Sequence, residues 1–360
     1  MSEGPSVEPA RSRWRAAAYR AGASVKSVWH SGLYVLARRA AGPLAAEENN
    51  AEPRAKADRA VLLAALRETF DKDAADIAAG LYPAPPTLGP TGAVQALREA
   101  RAFLEESQRV NARRLREGRT EVRDALRAAG AADPYPTYYL QNFHYQTGGW
   151  LSDHSAAVYE TQVEALFAGS AAAMRRRGLS LLAKAWRKRD HRGLRFADLA
   201  CGDGGFLFDV LRAFPRLEAE GVDLSPPYLE RARQRVAADF PQVRFVQGQI
   251  EALPIDAGQL DGASAVYLFH ELPPRVRPLA FAEIARVLRP GGLFVLTDSV
   301  QPQDRPDLDV LLQAFPVYFH EPYYKTYLET DLDALAAQAG FVRVASDQAF
   351  LTKSVLYQRR

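Results

Sequence analysis

From Arg195 onward, short apolar runs alternate with stretches whose apolar residues recur every three or four positions. Arg195–Leu199, Leu217–Asp223, Val243–Gln247, Gly262–Leu268 and Leu293–Asp298 have the length and composition of strands one to five. Gly205–Phe214, with Phe206, Leu207, Val210, Leu211 and Phe214 on one face, has helical spacing. So do Pro226–Asp239, which starts after Ser225, a good N-cap ahead of proline, and Pro274–Leu288. Asp331–Gly340 predicts a last helix, and Phe341–Ala345 and Phe350–Gln358 lie close enough to be an antiparallel pair. Strands alternating with helices predict an α/β fold with a doubly wound, mostly parallel sheet.

The first half of the chain has only the helical period. Ala55–Ala79 repeats Leu62, Leu66, Phe70, Ala74 and Ile77, and ends at Gly80 before Pro83, Pro85 and Pro86. Ala93–Ala129 predicts one or two helices. Ala156–Arg187 predicts a long one, breakable at Gly169 or Gly178. No internal repeat is evident. The expected division is a basic N-terminal segment and linker (1–54), an α-helical accessory or lid region (55–152) and an α/β domain (153–360) with an insertion at 300–330. Met1–Ala10 is expected to be irregular and Gly42–Pro53 to be the linker.

Composition places the 360 residues with globular proteins: 48% are hydrophobic and 25% charged. A net charge of +3 is too small to argue for nucleic acid. The triplets Arg175–Arg177 and Arg187–Arg189 read as solvated faces, without a recognition motif. No run is long enough for a bilayer span and the first ten residues lack a secretory pattern, so a cytoplasmic protein is expected. The single cysteine, Cys201, cannot form an intramolecular disulfide. Arg11–Leu44 is a different matter. It carries seven basic residues, no acid, and Trp14, Tyr19, Trp29 and Tyr34. Such a segment suits either an anionic membrane surface or a packed helix with a basic outer face.

Candidate chemistry gathers where strand one meets its helix. Asp198-Leu199-Ala200-Cys201-Gly202-Asp203-Gly204-Gly205 is a strand, a glycine turn and a helix start, an arrangement that brings backbone N–H groups close to a ligand. Alone it fits a relaxed dinucleotide fingerprint as well as a methyl-donor loop. Asp223 ends the next strand. Gln247-Gly248-Gln249-Ile250-Glu251 follows strand three, and Leu288-Arg289-Pro290-Gly291-Gly292 leads into strand five. These four motifs in this order resemble the class I S-adenosylmethionine-dependent methyltransferases, in the style of the ubiquinone and menaquinone biosynthesis group, over about the C-terminal half of the chain. Ala200 and Gln249 depart from the Gly and Asp usual there.

The resemblance implies a seven-stranded sheet with an antiparallel last strand, and S-adenosyl-L-methionine as cofactor. By position, Asp198 and the Ala200–Gly204 backbone, Cys201 and Gly202 included, would hold the methionine part. Asp223 and Leu224 would meet the ribose, Gln249 and Ile250 the adenine, and Tyr267 the amino group. It also implies that the aromatic segment 134–152 is a lid and that Val300–Thr330 covers the acceptor. Asn/Asp-Pro-Pro-aromatic, a grip for planar amines, is absent at Tyr267–Pro274. The expected acceptor is therefore a hydrophobic or aromatic small molecule methylated on oxygen or carbon.

Three of six histidines follow phenylalanine: His144, His270 and His320. With Glu271 and Tyr145 they are the candidates for acid–base work. No metal site is assigned, because no two ligands share a helix face at metalloprotease spacing. Three other readings stay open at this stage: an NAD-dependent oxidoreductase using the same glycine loop, a non-catalytic nucleoside-binding module, and a metal held among the histidines with Glu271 or Glu321.

Overall fold

A computed structural model describes residues 7–41, 58–86, 90–129 and 135–360. The upstream helices are α1 (Val7–Ala41), α2 (Arg59–Ala78), α3 (Pro90–Leu115) and α4 (Glu121–Ala128). Helix α1 begins at Val7, earlier than the polar opening of the chain suggests, while residues 1–6, the linker 42–53 and residues 55–57 lie outside the described residues. Asp58 caps α2 by accepting the Ala60 N–H at 2.8 Å. The long helical pattern breaks at Gly169, where φ is +80°, into α5 (Asp153–Leu166) and α6 (Ala171–Trp186). Gly178 does not break α6. It lets the helix press on the sheet: a Cβ there would stand 2.5 Å from Thr297 Oγ1 and 2.8 Å from Val295 Cγ1.

The sheet follows: β1 (Arg195–Leu199), α7 (Gly205–Ala213), β2 (Glu218–Asp223), α8 (Pro226–Val236), β3 (Arg244–Gln247), β4 (Leu260–Val266), α9 (Arg277–Val287) and β5 (Leu288–Ser299). The segment after β5 forms α10 (Asp309–Tyr318) and α11 (Tyr324–Leu328). Then come α12 (Leu332–Gln338), β6 (Phe341–Ala349) and β7 (Thr352–Arg359). Strand order is β3-β2-β1-β4-β5-β7-β6, with β7 antiparallel to both neighbours and the other pairs parallel. One apolar layer lies under α9 and α12, with Phe269, Phe281, Phe294, Phe341 and Tyr357 at its centre. The other lies under α6, α7 and α8, with Trp186, Phe196, Leu207 and Leu211.

The basic segment joins the helical layer instead of standing apart, since α1 packs on α2, α3 and α5. Its buried side is Ala16, Ala23, Leu33 and Ala37. Arg175, Arg176 and Arg177 also differ from expectation: all three are buried, not solvated. Asp73 of α2 accepts Arg176 Nη2 at 2.6 Å, Arg177 Nη1 lies 2.9 Å from Asp76, and Arg175 Nη2 donates to Glu160 at 2.6 Å. Acids brought in from other helices solvate these guanidinium groups in place of water.

Candidate active site

The carboxyl ends of β1, β2 and β4 open into a cavity of about 840 Å³, counting its open side, within the range of small-ligand sites. Its wall includes Ala200, Gly202, Asp223, Leu224, Gln249, Ile250 and Tyr267. Asp198, Cys201 and Gly204 stand behind it. Asp198 accepts the Ser264 hydroxyl at 2.6 Å, and burial pushes its carboxyl up to about 7 against that bond. Cys201 is buried with its thiol pushed well up, which removes it as a nucleophile. Gly204 caps α7 at φ +77°, and a Cβ there would sit 3.0 Å from Ala232 Cβ. The turn itself is strained at Ala200, which has φ +57° where glycine is at ease.

Asp223 ties the turn to the next helix. One carboxylate oxygen accepts the Gly202 N–H and the other the Ser225 N–H, both at 2.8 Å. The N–H of Tyr267 is engaged by Thr297 O at 2.8 Å, so its carbonyl is the backbone group left to face a ligand. The residue holds φ +55°, an unusual backbone for a bulky side chain.

The aromatic segment 135–150 supplies Tyr138, Tyr139, Phe143 and Trp150 to the same wall. Tyr138 Oη lies 2.9 Å from both oxygens of Glu251. Trp150, Tyr159 and Tyr228 meet edge to face with centroids 5.6–5.7 Å apart. Tyr159 and Tyr228 were not among the sequence candidates, because each sits in a helix where an apolar position reads as core.

A second, inner chamber adjoins the first and shares Tyr159, Tyr267 and Glu271 with it. His144 and His270 line it as well. Asp298, at the end of β5, holds His270: Oδ1 lies 2.6 Å from Nδ1, and Oδ2 accepts the Phe269 N–H at 2.8 Å. Burial would lower the His270 pKa, but the Asp298 carboxylate outweighs it and lifts it to about 9. Glu271 lies 4.0 Å from His270 Nε2 and accepts the Trp150 indole N–H at 3.1 Å. Burial raises its carboxyl to about 7, opposed by His270. His144 has φ +53°, and burial pushes its imidazole down to about 3, so it is neutral. Glu321 Oε1 lies 3.1 Å from His144 Nε2 without the alignment of a hydrogen bond, and burial raises that carboxyl well above its usual range.

The other two catalytic candidates lie elsewhere. Tyr145 and His320 lie against each other, rings tilted by 42° with centroids 5.6 Å apart, and line neither chamber. His320 Nε2 pairs with Gln141 Oε1 at 2.7 Å. The segment after β5 is pinned by buried Arg277, which donates to Phe269 O, Thr330 Oγ1 and Tyr323 O. Among the described residues no group of three histidine, cysteine or acidic side chains is placed to hold a metal ion.

A methyltransferase domain model matches residues 196–292. An uncharacterized methyltransferase of Synechocystis sp. is 34% identical over 155 residues, which is 42% of this chain and 68% of that protein. A demethylmenaquinone methyltransferase of Lactococcus lactis subsp. lactis is 33% identical over 135 residues, 37% of this chain and 51% of that protein. The chain thus spans about half the length of the latter. A solved magnesium protoporphyrin IX methyltransferase from Synechocystis, with S-adenosylhomocysteine bound, has TM-score 0.42 at 15% identity over 52% of this chain and 83% of that one, too distant to carry an argument.

The chain belongs to the methyltransferase family. It is a class I S-adenosylmethionine-dependent methyltransferase, with that family's strand order and antiparallel β7. Its cofactor is S-adenosylmethionine, which sets aside the dinucleotide reading of the glycine turn. The donor set suits it: an acid ends β2, and Val222, Leu224, Ile250 and Leu253 offer apolar contact beyond it.

Proposed function

We propose that this enzyme methylates an oxygen or carbon of a hydrophobic or aromatic small molecule, which sits in the inner chamber with its reacting atom toward the cofactor cavity. S-adenosylmethionine supplies, when bound, a methyl group on a sulfonium sulfur. The observation that carries the reading is Glu271, a half-buried carboxyl on the wall shared by the two chambers, pushed up to about 7 by desolvation. Glu271 takes the proton from the acceptor's O–H or acidic C–H. Protonated His270, fixed by Asp298, holds the oxyanion or enolate that results. Trp150 orients Glu271, and the aromatic wall excludes water.

In the cofactor cavity, Asp223 and Leu224 are assigned to the ribose, Gln249 and Ile250 to the adenine, and the Ala200–Gly202 backbone with Tyr267 to the methionine end. Asp198, Cys201 and Gly204 shape that turn from behind. Losing hydrogen bonds to a charged acceptor costs about 1.5–3 kcal/mol. Asp223→Ala should therefore weaken S-adenosylhomocysteine binding by about 10- to 100-fold in calorimetry. Unaltered affinity would remove the ribose assignment.

Residues 55–152 serve in this reading as a cap on the 153–360 domain, and residues 1–54 as a peripheral membrane contact on the cytoplasmic side. Support for that contact comes from the outward side of α1. Trp14, Val25, Val28, Trp29, Val35 and Leu36 are all exposed, Trp14 to 77%. At 3.6 residues per turn they fall within about a third of the circumference, over about 33 Å. Between Trp14 and Leu36 the charged residues, Arg15, Arg20 and Lys26, lie beside that stripe and not on it. Among the described residues no helix is long and apolar enough to cross a membrane. Vesicles of three parts phosphatidylcholine to one of phosphatidylglycerol should sediment the enzyme, about tenfold less in V25E/V28E. Equal sedimentation of both proteins would count against the contact.

A further inference from the structure

We propose that the acceptor reaches the inner chamber through a mouth separate from the cofactor's. A vestibule behind that mouth binds the apolar body of an amphipathic acceptor whose reacting group sits in the chamber. This rests on the small-molecule reading above.

The vestibule is a cavity of about 1350 Å³, counting its open side, between α1, α3, α5 and α10. It shares His144, Tyr159, Val163 and Leu166 with the inner chamber. With the cofactor cavity it shares Tyr159 alone. The three spaces are thus in series, with the acid–base groups in the middle. A molecule entering by the cofactor's opening would have no use for the third. Helices α1, α3 and α10 lie outside residues 196–292, so the vestibule is an addition to the methyltransferase domain.

Its wall has the character of a site for an apolar body. Phe103, Val110, Val163, Leu166 and Phe319 form its apolar part, and its two guanidinium groups lie over rings, Arg38 over Tyr318 and Arg114 over Tyr145. The polar groups on it are partly committed already: Glu106 accepts the Thr147 N–H at 2.9 Å and His154 Nε2 at 2.8 Å. The inner end is different in kind, with His270, Glu271 and Asp298 close together. A ligand that satisfies both ends is apolar along its length and carries an ionisable O–H or C–H at one tip.

His144 stands at the seam. Its ring is met edge-on by Trp150, Phe315 and Phe319, with centroids 5.6–6.2 Å away. Its left-handed backbone is held by an N–H bond to His320 O at 3.2 Å. An uncharged ring at this place lets apolar matter pass without desolvating an ion.

The test uses the full chain with 4-hexylphenol and phenol as probes, followed by calorimetry in saturating S-adenosylhomocysteine. The hexyl chain should tighten binding by at least about thirtyfold, given about 0.8 kcal/mol per buried methylene. Val110→Trp and, separately, Ser107→Phe, both on the α3 wall and away from the inner chamber, should each cost hexylphenol about tenfold or more. Phenol should lose nothing in either, and S-adenosylhomocysteine affinity, which reports the fold, should stay within about twofold. A wild type that gains nothing from the chain, or two variants that keep the whole gain, would overturn the proposal. The same comparison without S-adenosylhomocysteine still reads the vestibule. Failure of the wild type to bind S-adenosylhomocysteine would strike the methyl-transfer reading alone.

Discussion

Glu271→Gln should lower kcat by about 10²- to 10⁴-fold, the usual worth of a positioned general base. Gln keeps the size of the side chain and can still accept the Trp150 indole N–H, so the cavity wall stands and S-adenosylhomocysteine affinity should change little. The same carboxyl sets the acid limb of the pH profile. Burial raises it to about 7, and it must be ionised to accept a proton, so turnover rises with pH through that value. His270 works in the opposite sense. It is held at about 9, against burial, by Asp298, and it must stay protonated to face an oxyanion, so turnover falls above that value. A bell with limbs near 7 and 9 is expected. With the two groups 4.0 Å apart, each limb belongs to the pair and not to one residue. An acceptor found by following S-adenosylhomocysteine release gives the assay. A variant that kept a third of wild-type turnover and an unmoved acid limb would take the base role from Glu271.

The cavity wall proposed for the cofactor draws on parts that are local in sequence, so its residues could be picked out together. A strand, a glycine turn and a helix start occupy Asp198–Gly205, and Asp223 follows at the end of the next strand. Seven of the ten residues singled out there line the cavity; Asp198, Cys201 and Gly204 form the layer behind it. The acid–base chamber was less legible because its pairs are made across the fold. His270 announced itself by type, but its partner Asp298 is the last acid of a strand 28 positions away. Tyr145 and His320 attracted notice through motif and composition, yet the left-handed backbone at His144 and Tyr145 turns neighbouring side chains to different spaces. The arginine triplet misled for the same reason: a charge run reads as solvated until distant acids meet it. On α1 the sequence carried the basic and aromatic residues, while the packing of Ala16, Ala23, Leu33 and Ala37 decides which of them face outward.

Asp73→Ala should be the most destabilising single substitution among these contacts, at about 3–5 kcal/mol, the cost of leaving a buried charge without its partner. Asp73 is fully buried between two arginines. Arg176 approaches with Nε at 3.0 Å and Nη2 at 2.6 Å, and Arg177 Nη2 lies 3.5 Å away. Tyr82 Oη donates to the same carboxylate at 2.7 Å and accepts from Arg177 Nη2 at 2.7 Å. The arginines extend the tie: Arg176 reaches Asp209 on α7, and Arg177 reaches Asp347 on β6. One carboxylate of α2 therefore links the helical layer to α6, α7 and the sheet edge. Burial would raise the Asp73 pKa, but Arg176 with its hydrogen bonds, Tyr19 and Arg177 outweigh it and hold the carboxyl below its usual range. A depressed carboxyl contributes stability that is complete above its unfolded pKa of about 3.9 and fades as pH falls toward the folded value. Wild type should thus lose stability on acidification, and Asp73→Ala should start lower and show less of that loss. Denaturant melts at pH 7 and pH 3 read both effects. Asp73→Asn, which keeps acceptor geometry without charge, should fall between. A loss below about 1 kcal/mol at pH 7, the scale of an exposed ion pair, would mean that the arginines find water or other acids once Asp73 is gone. The helical layer would then be held by its apolar contacts and its remaining ion pairs, Arg177 with Asp76 and Lys72 with Asp347 among them.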